Sequence, residues 1–136
     1  MEALRAYEKA IEINPKDART YNNIAILYID TGNIQKAIGL YEKAIEINPY
    51  YADAHYNLGN AYSSMQNIQE AIACYKKAIE VDPNNTHVDA YYNNLAAMYA
   101  FNGNIKEAIL LYEKGLKINP ESKIIRENLN KLRQTK

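Results

Sequence analysis

The sequence predicts an all-α chain, an α-α superhelix (solenoid) of antiparallel helix pairs. It holds about three full units flanked by an N-terminal half unit and a C-terminal capping helix. Three observations predict this. The four prolines, Pro15, Pro49, Pro83 and Pro120, all follow one kind of segment (AIEINP, AIEINP, AIEVDP, GLKINP), at spacings of 34, 34 and 37 residues. The same intervals separate Ala3, Ala37, Ala71 and Ala108, and again Tyr7, Tyr41, Tyr75 and Tyr112, while Tyr28, Tyr62 and Tyr99 keep the last two. Within each period the apolar residues recur at helical spacing. In IQKAIGLYEKAIEI, for example, Ile34, Ala37, Ile38, Tyr41, Ala44 and Ile45 share one stripe, with charged residues opposite. A period of this length with two helices per unit marks a repeat array, in which each unit buries its apolar face only against its neighbours.

Each element follows in order. Residues 1–17 form a half unit, a second helix without its partner. Residues 18–51 and 52–85 are full units, residues 86–122 are a unit with a three-residue insertion, and residues 123–136 are a capping helix. Within a unit, Asn33, Asn67 and Asn104 stand where an N-cap belongs, after Gly32 and Gly103, which suit the left-handed end of the preceding helix. Proline ends each second helix. The insertion is Thr86, His87 and Val88. Thr86 and Asp89 have capping-box spacing, so the following helix is expected to lengthen by about one turn. The alternatives are a tolerated loop change, or a bend or ligand contact made by His87.

Small residues set the packing distances. Ala25, Gly59 and Ala96 let first helices approach their partners, and two columns do the same for second helices: Ala3, Ala37, Ala71 and Ala108, and Ala10, Ala44, Ala78 and Gly115. A larger side chain in such a column overpacks, at a cost of about 1–3 kcal/mol. In the capping helix Asn130 replaces the small residue, as suits a terminal helix with a polar outer face.

These features resemble the tetratricopeptide repeat (TPR) family. Residues 52–85 (ADAHYNLGNAYSSMQNIQEAIACYKKAIEVDPNN) are nearly a consensus unit, with Leu58, Gly59, Tyr62, Ala71, Tyr75, Ala78 and Pro83 at the signature positions. The neighbouring units match through Ile24, Ala25 and Tyr28, and through Leu95, Ala96 and Tyr99. The resemblance implies that first helices line a concave groove and second helices lie outside. It also implies that the column Asn23, Asn57, Asn94 and Asn128 faces the groove. In arrays resembling those of O-GlcNAc transferase such a column forms an asparagine ladder for peptides. A carboxamide carries both donor and acceptor, so it can pair with the backbone of an extended segment. Beside the ladder stand Asn22, Tyr56 and Asn93, with Asn60 one turn further on. The chaperone-tail clamp of some members needs lysine or arginine in the third groove helix, where Ala90 and Asn94 stand, and a lysine near Asn22, which argues against an Hsp70 or Hsp90 tail as ligand.

The composition narrows the function. The chain has 136 residues, with 16 basic and 16 acidic side chains. Zero net charge argues against nucleic-acid and membrane-surface binding, both of which need a basic excess. The balance is uneven along the chain: the capping helix carries Lys123, Arg126, Lys131, Arg133 and Lys136 against Glu127. One cysteine and two histidines build neither a disulfide framework nor a four-ligand zinc site, and no cofactor is implied. No apolar run spans a bilayer and the N-terminus is no signal peptide, so a cytoplasmic or other reducing compartment is expected. His55 shares the column of Tyr21 and Tyr92, and Cys74 that of Leu40 and Leu111, so both read as core rather than catalytic residues.

Nine of the 13 tyrosines fill repeat columns. Of the rest, Tyr56 is the groove candidate, Tyr50 and Tyr51 pack at a turn, and Tyr91 has no assigned column. The expected function is a non-enzymatic scaffold that holds an extended peptide of a partner protein. One alternative is a self-assembling module that stacks end to end through its split terminal unit, prompted by the apolar side of Leu4, Tyr7 and Ile11, expected to be exposed. Another is the substrate-selecting part of a larger enzyme.

Overall fold

A computed structural model describes residues 2–134. Among them are eight helices and no strands: α1 (Glu2–Ile13), α2 (Ala18–Asp30), α3 (Ile34–Ile47), α4 (Ala52–Ser64), α5 (Ile68–Val81), α6 (Val88–Phe101), α7 (Ile105–Ile118) and α8 (Lys123–Gln134). Each packs against its neighbours in the chain, so the fold is an all-α superhelix of antiparallel pairs. Lys136, counted above with the basic residues of the capping helix, lies outside the described residues.

The turns follow from residue chemistry. Gly32 and Gly103 take φ of 83° and 86°, the left-handed conformation expected of them. The middle unit has no glycine there, and Gln66 adopts φ 61° instead. Asn33, Asn67 and Asn104 all occupy N-cap positions, but only Asn33 closes a side-chain bond, accepting from Lys36 N–H at 3.4 Å. At the other end, the second helices stop two residues before proline. Asn48 and Asn119 there turn to extended ψ (92° and 84°) while their N–H groups still bond Ala44 and Gly115.

Packing obeys the small-residue columns. Ala25, Ala37, Ala44, Ala71, Ala78, Ala96 and Ala108 are fully buried. At Gly59 an added Cβ would lie 2.7 Å from Tyr75 Cε1, so the glycine is required by the tyrosine ring laid across it. Tyr41, Tyr75 and Tyr112 are buried in one column, and burial, with Asp30 adding to it, pushes the Tyr41 hydroxyl up to about 12. α1 is different. It has no buried residue, and Leu4, Tyr7, Ala10 and Ile11 are only half-buried. The side of α1 read as exposed is thus partly covered.

Two expectations change. The insertion does not add a turn to α6. That helix begins at Val88, one residue earlier than the repeat register requires, and His87, not Thr86, is the N-cap residue, with no side-chain cap bond. Thr86 and His87 stay in the turn because Asn85 organises it, its side chain accepting from His87 N–H at 2.8 Å. Tyr91 proves to be core, with 0% exposure. It stands in the column of Thr20 and Ala54, both buried, and its hydroxyl donates from α6 to the Asp53 carboxylate on α4, the first helix of the preceding unit.

Candidate functional site

The first helices α2, α4 and α6 share a face rich in amides. On it a hydrogen-bond register repeats from unit to unit. Asn57 Nδ2 donates to Asn22 Oδ1 at 3.1 Å. One unit later Asn94 Nδ2 donates to Tyr56 Oη at 3.0 Å, and one further Asn128 Nδ2 donates to Asn93 Oδ1 at 3.0 Å. Each bond runs from the ladder column of one first helix to the residue beside the ladder in the previous one. Neighbouring first helices are thereby tied together through the very residues the sequence marked for a ligand.

Side bonds complete the network. Asn94 Nδ2 also donates to Asn60 Oδ1 (2.9 Å), which accepts from Tyr75 Oη (2.5 Å), and Asn93 Nδ2 donates to Asn94 Oδ1 (3.1 Å). Tyr56 sits with its ring centroid 4.8 Å from that of Tyr91 and 5.7 Å from that of Tyr75. Asn22 is buried, while Asn23, Tyr56, Asn57, Asn60, Asn93, Asn94 and Asn128 are half-buried. A carboxamide has two N–H donors and two acceptor positions. Asn57 therefore keeps one N–H and its carbonyl oxygen, whereas Asn94 has committed its nitrogen twice and keeps only part of its oxygen. Asn23 makes no side-chain hydrogen bond among the described residues, because the helix before it, α1, is a second helix and offers no acceptor in register.

Two hollows open between α2 and α4. One, of about 300 Å³, is lined by Ile26, Ile29, Tyr41, Asn57, Asn60, Ala61 and Ser64. The other, of about 480 Å³, reaches toward the start of α6 and is bounded by Arg19, Asn22, Asn23, Tyr56 and Asn57, with Asp53 and His87 at its edge. They meet at Ile26 and Asn57. Of the residues singled out from sequence, Asn22, Asn23, Tyr56, Asn57 and Asn60 line these hollows, while Asn93, Asn94 and Asn128 belong to the amide pairs that continue the face. Arg19, Ile29 and Asp53 were missed. The signal for Arg19 was present: with Asn22, Asn23 and Ile26 it makes an i, i+3, i+4, i+7 face, one turn beyond where the ladder was stopped.

The groups read as core behave as such. His55 is buried, its Nε2 lies 2.9 Å from the Pro49 carbonyl oxygen, and burial lowers its pKa. Burial, reinforced by Glu42 and Glu70, pushes the Cys74 thiol up to about 11, far from a reactive thiolate. Among the described residues no cluster of metal-ligating side chains occurs and no helix is long and apolar enough to cross a membrane.

A superhelix of helix pairs with an amide-lined face defines a repeat scaffold. Tetratricopeptide repeat models match residues 6–39, 52–85 and 90–122, and a TPR repeat model matches residues 27–66. The chain belongs to the tetratricopeptide repeat family. No curated protein matches it. Among solved structures, MamA is similar with a TM-score of 0.84 at 27% identity, over 96% of this chain and 75% of that one. YrrB, described as a TPR protein with an unusual peptide-binding site, is similar with a TM-score of 0.83 at 26% identity, over 93% of this chain and 64% of that one. The first TPR domain of Spaghetti (RPAP3), solved with an HSP90 peptide, has a TM-score of 0.80 at 22% identity, over 87% and 91%, a likeness of fold.

Proposed function

We propose that this protein-interaction scaffold binds an extended peptide segment of a partner across α2, α4 and α6, its backbone read by the asparagine column. The observation that carries the reading is the state of Asn57. Its bond to Asn22 fixes the carboxamide plane, and the remaining N–H and C=O stay available at the junction of the two hollows. A preorganised amide loses little side-chain entropy on binding. The rungs are unequal: Asn23 and Asn57 read both donor and acceptor, and Asn94 offers an acceptor alone. At about 0.5–1.5 kcal/mol per hydrogen bond, affinity is modest and side-chain contacts must add to it. YrrB, with its peptide-binding site, supports the reading.

The test is a peptide-array screen of the wild type and of Asn23→Ala with Asn57→Ala, with helicity checked by circular dichroism. Binding is expected to fall at least about tenfold, the equivalent of roughly 1.4 kcal/mol. Undiminished binding in a folded double variant removes the ladder.

A second reading, end-to-end stacking of copies, is favoured by the two open ends of the amide register. Asn23 is a donor without an acceptor among the described residues, and Glu127, exposed on α8, occupies the acceptor column of Asn22, Tyr56 and Asn93. If α8 of one copy stood beside α2 of the next, Asn23 would meet the Glu127 carboxylate. The contact is heterologous and would propagate. Sedimentation across a concentration series decides: association that weakens in Glu127→Arg supports stacking, and a concentration-independent monomer ends it.

A further inference from the structure

Only one of the two hollows is lined by charged side chains, and the difference specifies a ligand more closely than backbone reading does. The smaller is mostly apolar: Ile26, Ile29 and Ala61 line it with the Tyr41 ring, and Ile26 is 39% exposed. A volume of about 300 Å³ takes one branched aliphatic side chain with part of its backbone. The larger hollow has apolar walls too, Ile26, Tyr51 and Ala90 among them, but it also carries charge. Its carboxylate, Asp53, already accepts from the Tyr91 hydroxyl and lies 3.7 Å from His87 Nδ1. Its guanidinium, Arg19, is exposed and forms no ion pair among the described residues. Of the two charged side chains in the groove, Arg19 is therefore the one whose hydrogen-bonding groups are all unspent, and a bidentate carboxylate suits a guanidinium.

Geometry links the two hollows. They lie on either side of Asn57, displaced along the helix axes: one beside the C-terminal half of α2 and α4 (Ile29, Ala61, Ser64), the other beside the N-terminal half (Arg19, Asp53). An extended segment bonded edge-on to Asn57 crosses the helices and sends successive side chains to opposite sides. Those two sides are the two hollows. We propose that the groove selects an extended peptide segment in which an aliphatic and a carboxylate side chain are adjacent, the aliphatic one seated against Ile26, Ile29 and Ala61 and the carboxylate facing Arg19. The inference rests on the groove reading above.

Fluorescence anisotropy with short acetylated and amidated serine–threonine peptides tests it, because blocking both ends leaves the side chain as the only carboxylate. One peptide carries Leu and Glu side by side, and a second has the same composition with one residue between them, so that both point the same way. Others replace Glu by Lys or Leu by Ser. The adjacent Leu–Glu peptide is expected to bind roughly tenfold or more tightly than the spaced one. Arg19→Glu should invert the preference to Leu–Lys, and Ile26→Asn should erase the advantage of Leu over Ser; both positions are exposed, so the fold is retained. Equal affinity for adjacent and spaced peptides overturns the proposal. So does a Glu preference that survives Arg19→Glu, or tight binding only when the peptide's C-terminal carboxylate is freed. Binding that is lost in the Asn23→Ala, Asn57→Ala variant yet indifferent to arrangement leaves the groove reading standing and removes this one. Absence of binding by every peptide removes both.

Discussion

At the residue scale, single side chains depart from the repeat and carry measurable costs. Gln66 holds φ 61° where the other units place Gly32 and Gly103. A left-handed residue with a Cβ is strained by about 1–2 kcal/mol, and glycine relieves this while adding freedom to the unfolded chain worth about 0.4–1 kcal/mol. Gln66→Gly should therefore raise stability by about 0.5–1 kcal/mol, read as a higher urea midpoint. His55 replaces a tyrosine of its column and is buried beside Pro49. Its pKa is lowered in the fold, first by burial. The unfolded chain takes up a proton as the pH falls through about 6.5, and the folded protein does so only at lower pH. The unfolded state then binds more protons, so His55 costs stability on acidification below that value. The loss between pH 7.5 and 5 should be smaller in His55→Tyr than in the wild type.

At the element scale, α6 shows how one residue can seat a helix. Tyr91 enters a column that is Thr20 and Ala54 in earlier units, stacks on Tyr56 and donates to Asp53. Burial, with Asp53 adding to it, raises its pKa, so the hydroxyl remains a donor throughout the working range. Tyr91→Ala should cost about 3–5 kcal/mol, as large aromatic truncations in a core do. It should also disturb Tyr56, and with it the larger hollow. Tyr91→Phe keeps the ring and should cost less, about 1.5–3 kcal/mol, as loss of a hydrogen bond to a charged group does. Comparing the two by denaturant unfolding separates packing from the hydrogen bond. None of this was legible in sequence, because Tyr91 looks like a surplus tyrosine until its neighbours from α4 and α5 are known.

At the scale of the whole molecule, stability is a chain of neighbour contacts, and it is uneven. α1 buries no residue, whereas α4 and α5 are packed on both sides. In a solenoid opening starts where neighbours are missing. Amide hydrogen exchange should therefore be fastest in α1 and slowest in α4 and α5. Exchange in α1 that matches the core would contradict this order.

Periodicity by itself determined the class of fold, the number of units, the turn glycines and most of the buried columns. A helix stripe and a repeat length are local and regular, and both can be read from one strand of letters. The asparagine column was legible too, as residues at one register position. What those amides bond to was not. Whether Asn57 meets water, a ligand or Asn22 depends on the distance and rotation between α2 and α4, set by their packing on α3 around Ala25, Ile38, Tyr41, Leu58 and Ala61. The same relation between helices opens the two hollows and leaves Arg19 without an ion pair among the described residues, and the packing of α6 on α4 and α5 buries Tyr91. Sequence fixes which side chains a helix face presents; tertiary packing decides which of them are spent on each other and which remain for a partner.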